Sequence, residues 1–325
     1  MPKTLNNSSN IGAHGKLSTF KKPALALSAL LIIGAGFAVT HCSLGSKSQT
    51  SISEVAANQT APTSNLIIPP SSSDSATTTI PAQKDSAKAL IDCFKKAYPQ
   101  TVSNASTTSE LVLNNGKKLA LGDETQRNFQ EQLNHASLFD QVSQHYPLDF
   151  SIPAENFDPG RIRNDAFFSA MYGASSNEIQ ARLESIVWQP SGQKIMFNKI
   201  NGAAQALQNA GQTIAADASL AKYVQQTLGT FNYRNIAGTK RLSNHSYGIA
   251  IDFKLPAALH KYWQWDGCKE NQTCAFPTKI LQDENLQKVV SIFEKNGFIW
   301  GGKWYHYDSV HFEYRPELLE PNCHI

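Results

Sequence analysis

Two histidines and two aspartates stand at spacings that can build a hydrolytic metal site. His245 lies seven residues ahead of Asp252 in "RLSNHSYGIAID", residues 241–252. Strand alternation puts Ile249, Ile251 and Phe253 on one face, and Ala250 and Asp252 on the other. Three bulky apolar side chains belong in a core. Asp252 therefore points away from it, beside a residue too small to cover the carboxylate. Gly248 lets the backbone bend and bring His245 round to the same face. The stretch "SVHFEY" at 309–314 repeats the pattern, with Val310 and Phe312 on one face and His311 and Glu313 on the other. Two histidines and one carboxylate leave a position of a zinc ion open for water, which is the pattern of a catalytic zinc site. Bound zinc lowers the pKa of that water towards about 7. A carboxylate close by, but off the metal, can then take the proton. The expected ligands are His245, Asp252 and His311, and Asp308 stands at the strand entrance as the base.

The elements that must hold these groups are mixed. Helical spacing is expected over 84–99, 123–142, 177–187, 201–217, 218–228 and 279–295, and after a turn within 157–173. "LVLNNGKKLAL" at 111–121 reads as a hairpin turning at Asn-Asn-Gly. Strands are expected at 193–199, 229–236, 247–255 and 309–314. Helices and strands that do not alternate indicate an α+β fold, a small antiparallel sheet with flanking helices. No glycine-rich phosphate loop of either common type is present.

"SNHSYGIAID" carries S-x-H-x-x-G-x-A-x-D at every fixed position: Ser243, His245, Gly248, Ala250 and Asp252. "DSVHFE" at 308–313 carries D-x-x-H-F-E. Together, with "GFIWGGKW" at 297–304, they resemble the zinc D-alanyl-D-alanine carboxypeptidases and dipeptidases, and the related phage L-alanyl-D-glutamate endopeptidases. The resemblance covers about residues 229–319 and implies a hedgehog/DD-peptidase fold. It implies zinc on His245, Asp252 and His311, Asp308 as general base, and peptidoglycan peptides as substrate. Relatives also use an arginine upstream of the first ligand to stabilise the oxyanion. Arg234 in "FNYRN" is the candidate on its expected strand, and Arg241 competes. Asp308 favours the endopeptidase branch, whereas the general likeness favours the carboxypeptidase. A zinc-containing module that binds wall peptide or a partner without cutting it is the alternative.

Charge and composition bound the rest. Residues 1–84 carry six Lys against two Asp/Glu, while residues 85–325 carry 23 Lys/Arg against 24 Asp/Glu. The globular part is nearly neutral, with no basic face for nucleic acid. Residues 1–22 form a basic segment expected in the cytoplasm. Residues 23–40, "PALALSALLIIGAGFAVT", are uncharged and apolar, and about 18 such residues span a bilayer. They are expected to anchor the chain in a membrane; a cleaved signal or a lipidated Cys42 is the other form. Residues 41–84 read as a disordered linker, since 16 of the 42 residues from 43 to 84 are Ser or Thr. The folded part divides into a mostly helical stretch, 85–228, and a catalytic core, 229–325, outside the cytoplasm in a bacterial cell envelope. Export makes disulfides plausible: Cys268 with Cys274 around "CKENQTC", and Cys93 with Cys323 near the two ends.

Other candidates read as structural. His260, His306 and His324 are expected on the surface or in loops, and Arg161 and Arg163 at a solvated helix start, with contact to a substrate carboxylate as the other reading. Trp300 and Trp304 fit a cleft or a core. Glu313 is expected to support the site rather than to act in the chemistry.

Overall fold

The computed structural model describes residues 80–325 apart from Gln126 and Asn271. The expected membrane span at 23–40 and most of the expected linker lie outside the described residues. Among those described, no helix is long and apolar enough to cross a membrane.

The architecture is α+β. Helix α1, Ile80–Ala97, starts inside the segment read as linker, with Pro81 in its first turn, where a missing N–H costs nothing. A hairpin follows, β1 (Glu110–Val112) with β2 (Lys118–Ala120). Then come α2 (Phe129–His135), α3 (Leu138–Ser143), α4 (Asp165–Tyr172) and α5 (Ser176–Gln180). A second hairpin pairs β3 (Leu183–Trp188) with β4 (Gln193–Asn198). Helices α6 (Ala203–Ala215) and α7 (Ala218–Val224) lead into β5 (Thr227–Gly229) and β6 (Ala250–Phe253). Finally α8 (Lys279–Gln282) and α9 (Glu284–Lys295) precede β7 (Phe298–Trp300) and β8 (His311–Tyr314).

Four of these strands form the sheet that carries the site, in the order β5-β6-β8-β7, antiparallel throughout. Its inner face is the expected apolar one. Ile251, Phe253 and Phe312 are fully buried against Val289, Val290 and Phe293 of α9. The Phe293 and Phe312 rings lie 4.3 Å apart, and Phe253 packs edge-on to Phe312. Burying each such ring contributes about 1.5–3 kcal/mol, so the strand faces are strongly specified. A one-residue slip would turn Asp252 and His311 into the core.

Several elements differ from the periodicity reading. The helix expected over 123–142 is two helices, because Asn128 and Ser137 each start one with a reciprocal capping box, to Glu131 and Asp140. The helix expected over 279–295 breaks at Asp283, whose side chain caps α9. The helix expected over 177–187 ends at Gln180. Residues 183–188 instead pair with 193–198 across the turn at Pro190-Ser191-Gly192, where β-branched and aromatic residues prefer a strand. The strand expected over 229–236 stops at Gly229. Beyond it the chain is an open loop whose ladder contact is a single bridge, Asn235 to Leu242.

Both expected disulfides are present. Cys93 joins Cys323, tying α1 to the C-terminal turn, and Cys268 joins Cys274.

Candidate metal centre

Each member of the cluster is placed by a local device. His245 sits in a 3-10 turn, Asn244–Tyr247. Ser243 starts that turn by accepting the His245 N–H. Gly248 ends it at φ 67, where its N–H returns to the turn. A Cβ at 248 would also meet Leu183 at 2.5 Å, so glycine is required there on both counts. Asp252 and His311 are direct partners across the β6–β8 ladder, and Gly229 of β5 stands opposite Asp252 on its other side. Asp308 is set by the turn after β7. Its N–H bonds the Gly301 carbonyl at 2.9 Å, and a Cβ on Gly301 would strike the Asp308 backbone at 2.6 Å.

The donor atoms of His245, Asp252 and His311 lie within 4.8 Å of one another. His245 Nε2 is 3.2 Å from Asp252 Oδ2, and His311 Nδ1 is 2.9 Å from Asp252 Oδ1. The outer contacts settle which nitrogens face inward. His245 Nδ1 lies 2.7 Å from the Thr230 carbonyl, which can only accept, so that nitrogen carries hydrogen. His311 Nε2 lies 2.9 Å from the Glu313 carboxylate and likewise donates. Nε2 of His245 and Nδ1 of His311 are thus the nitrogens left to ligate a metal, and both face Asp252. This outer bonding of each imidazole, together with a hard carboxylate, fits a divalent zinc ion.

The electrostatics agree. Burial opposes charge on Asp252, yet hydrogen bonds from both histidines hold its carboxyl well below the usual carboxylate range. Burial also opposes charge on Glu313. The His311 contact and the Arg315 guanidinium nevertheless bring it down to about 2. For His311, burial disfavours the cation, but the two carboxylates raise its pKa well above the ordinary value. An anionic pocket that draws positive charge onto an imidazole is one that a metal cation can enter instead. Asp308 behaves differently: burial pushes its carboxyl up to about 7, with the Asp252 charge adding to that. Its Oδ1 is buried without a hydrogen-bond partner.

All four groups line one cleft of about 270 Å³, which Arg234, Arg241, Trp304 and Glu313 also line. Arg234 lies on an open loop, not on a strand. It is exposed, and among the described residues no carboxylate pairs with it. Arg241 is committed elsewhere, with Nε 2.8 Å from Asp165 and its other nitrogens near the carbonyls of Arg161 and Arg163.

The match with known proteins falls on this same stretch. Residues 237–314 match the family of D-alanyl-D-alanine carboxypeptidases. The match contains His245, Asp252, Asp308 and His311, and it supports a peptidase. Arg234 lies just outside it, as does everything before residue 237. No curated protein and no solved structure matches the chain.

Some of the surroundings were not legible in the sequence, and some expectations need correction. His306 lies in a loop but not on the surface: it is 2 % exposed, with Nδ1 against Asp158. Arg163 is buried rather than solvated, bonding Asn244 at 2.8 Å and Asp165 at 2.8 Å. Arg161 is held by Asp158 and Glu270, both at 2.9 Å. Trp300 belongs to the core, where its Nε1 bonds the Ser309 carbonyl, while Trp304 faces the cleft. Glu313 bonds Asn244 and Arg315 as well as His311. The alternation Glu313, Arg315, Glu317 is the signal that could have revealed this buried ion chain from sequence.

Proposed function

We propose that this protein is a zinc-dependent peptidase that hydrolyses peptides of the bacterial cell wall. The observation that carries the reading is the convergence of two inward imidazole nitrogens and Asp252 in one cleft with Asp308, whose buried Oδ1 has no hydrogen-bond partner. A zinc ion held by His245, Asp252 and His311 would supply Lewis acidity to a water and to the scissile carbonyl. Asp308 takes the proton of the attacking water and returns it to the leaving amine, a task suited by a pKa near neutrality. Arg234, which has no carboxylate partner among the described residues, lines the same cleft and would stabilise the oxyanion as it develops.

The matched family supports D-Ala-D-Ala as the bond cut. Asp308 in the "DSVHFE" ending keeps L-Ala-D-Glu as the second reading. The apolar run at 23–40 and the Ser/Thr-rich stretch after it support a membrane-tethered enzyme working outside the cytoplasm. Two disulfides suit that oxidising side.

The test is mass spectrometry of wall peptides digested with the zinc-loaded protein. Loss of a terminal alanine marks the carboxypeptidase, and cleavage inside the stem marks the endopeptidase. Intact peptides alongside stoichiometric zinc would favour the non-cutting binding module.

A further inference from the structure

The cleft has a second polar constellation that the peptidase chemistry does not use. His306 Nδ1 donates to Asp158, a fully buried carboxylate that also accepts from the His306 backbone N–H and from Arg161. The imidazole is gripped between the Phe129 and Trp263 rings, stacked on one and edge-on to the other. Its Nε2 is buried with no hydrogen-bond partner. It faces Glu270 Oε1 at 3.7 Å, too far for a bond.

Glu270 lines the cleft two residues after Cys268, whose disulfide partner Cys274 donates its N–H to the Tyr305 hydroxyl at 2.9 Å. It accepts from both terminal nitrogens of Arg161, yet keeps nearly a third of its side chain open to the cleft. The group carries two carboxylates, Asp158 and Glu270, against one guanidinium. The other nearby cations, Arg163 and Arg241, share Asp165. The Glu270 carboxylate, whose one guanidinium partner Arg161 also serves Asp158, therefore stands beside an unsatisfied imidazole nitrogen in a cleft that Arg234 also lines. A buried acceptor without a donor is costly, and a ligand N–H placed between Nε2 and Glu270 would satisfy both.

We propose that His306 and Glu270 form a recognition subsite for a cationic amine on the bound peptide, with Asp158 and Arg161 as positioning residues. The proposal rests on the peptidase reading for the ligand being a wall peptide. It commits to a primary amine because a carboxylate there would face two others.

Two synthetic wall-type peptides test it, differing only in whether the side-chain amine of one diamino acid is free or acetylated. Binding is measured with the zinc-loaded full chain in the Asp308→Asn background, where hydrolysis is blocked. The free amine is expected to bind about tenfold tighter, and Glu270→Gln or His306→Gln to narrow that ratio below about threefold. Equal binding of both peptides would overturn the proposal, as would a ratio that survives both substitutions. Cleavage by the wild-type chain is followed in parallel. Amine discrimination without any cleavage would sink the peptidase reading and leave the subsite standing. Cleavage without discrimination would do the reverse.

Discussion

His311 and Asp252 are register partners on adjacent strands, and their side chains meet with Nδ1 2.9 Å from Oδ1. The pairing turns a sequence separation of 59 into a direct contact. It also makes the site rigid, because both residues hang from a ladder whose other face is the aromatic core of Phe253, Phe293 and Phe312. A site on such strands is held more tightly than one on loops.

Metal affinity should depend on the group behind His311 as well as on the ligands. Glu313→Gln weakens the acceptor that fixes the His311 tautomer, so zinc binding should fall about 10–100-fold. His245→Ala removes a ligand outright and should abolish stoichiometric zinc. Competition titration against a chromogenic chelator measures both. Unchanged affinity in Glu313→Gln would remove that residue from the site.

Asp308→Asn should eliminate peptide hydrolysis while zinc content stays at one per chain. It should also change stability in a pH-dependent way. The folded pKa of Asp308 lies above its unfolded value, so its contribution is fully present below about 4 and is lost as pH rises through about 7. The metal-free Asn variant should therefore melt higher than wild type at pH 8 and no higher at pH 4. A bound cation draws the Asp308 pKa down. The acid limb of activity in the zinc-loaded enzyme should accordingly fall between about 4 and 7. Thermal melts and a kcat/KM profile against pH read these directly.

The two arginine candidates separate cleanly. Arg234→Ala should leave the melting temperature within a degree or so and lower kcat by about 10²–10³, the usual effect of losing an oxyanion donor. Arg241→Ala leaves Asp165 half-paired and removes bonds to the carbonyls of Arg161 and Arg163, so it should lower stability. If Arg234→Ala raised KM alone, Arg234 would be a substrate anchor rather than an oxyanion donor.

The site was legible where one residue's role follows from its neighbours in the chain. Alternation along 249–253 and 310–313 put Asp252 and His311 on the outward face, and the ladder places them so. Gly248 was legible as a bend, because a left-handed residue is a local requirement that glycine meets. The boundaries of 123–142 and 279–295 were missed because Ser137 and Asp283 compete for backbone N–H groups inside otherwise periodic runs. His306 and Arg163 were missed for a different reason. Their burial is imposed by Asp158 and Asn244, residues 148 and 81 positions away, and no local pattern encodes such a partner.

The longest-range prediction concerns the ion chain behind the site. Glu313 Oε1 accepts from Arg315 Nη1 at 2.9 Å, and Glu317 Oε1 accepts from Arg315 Nε at 2.6 Å. Glu317 in turn accepts from Gln141 and from the Tyr98 hydroxyl of α1. Arg315 and Glu317 are wholly buried, so each charge depends on the others for compensation. Arg315→Met strands two carboxylates and should cost about 3–5 kcal/mol in a denaturant titration. Tyr98→Phe removes one donor and should cost about 1–3 kcal/mol. Glu313 is depressed from 4.5 to about 2, so the stability it contributes is present above about 4.5 and is lost as pH falls towards 2. Without Arg315 the folded pKa of Glu313 rises, so less of that stability is present at neutral pH and acid removes less of it between 4.5 and 2. Zinc affinity should drop with it, since Glu313 orients His311. Were Arg315→Met to unfold at the wild-type denaturant midpoint and bind zinc as tightly, the metal centre would be independent of α1.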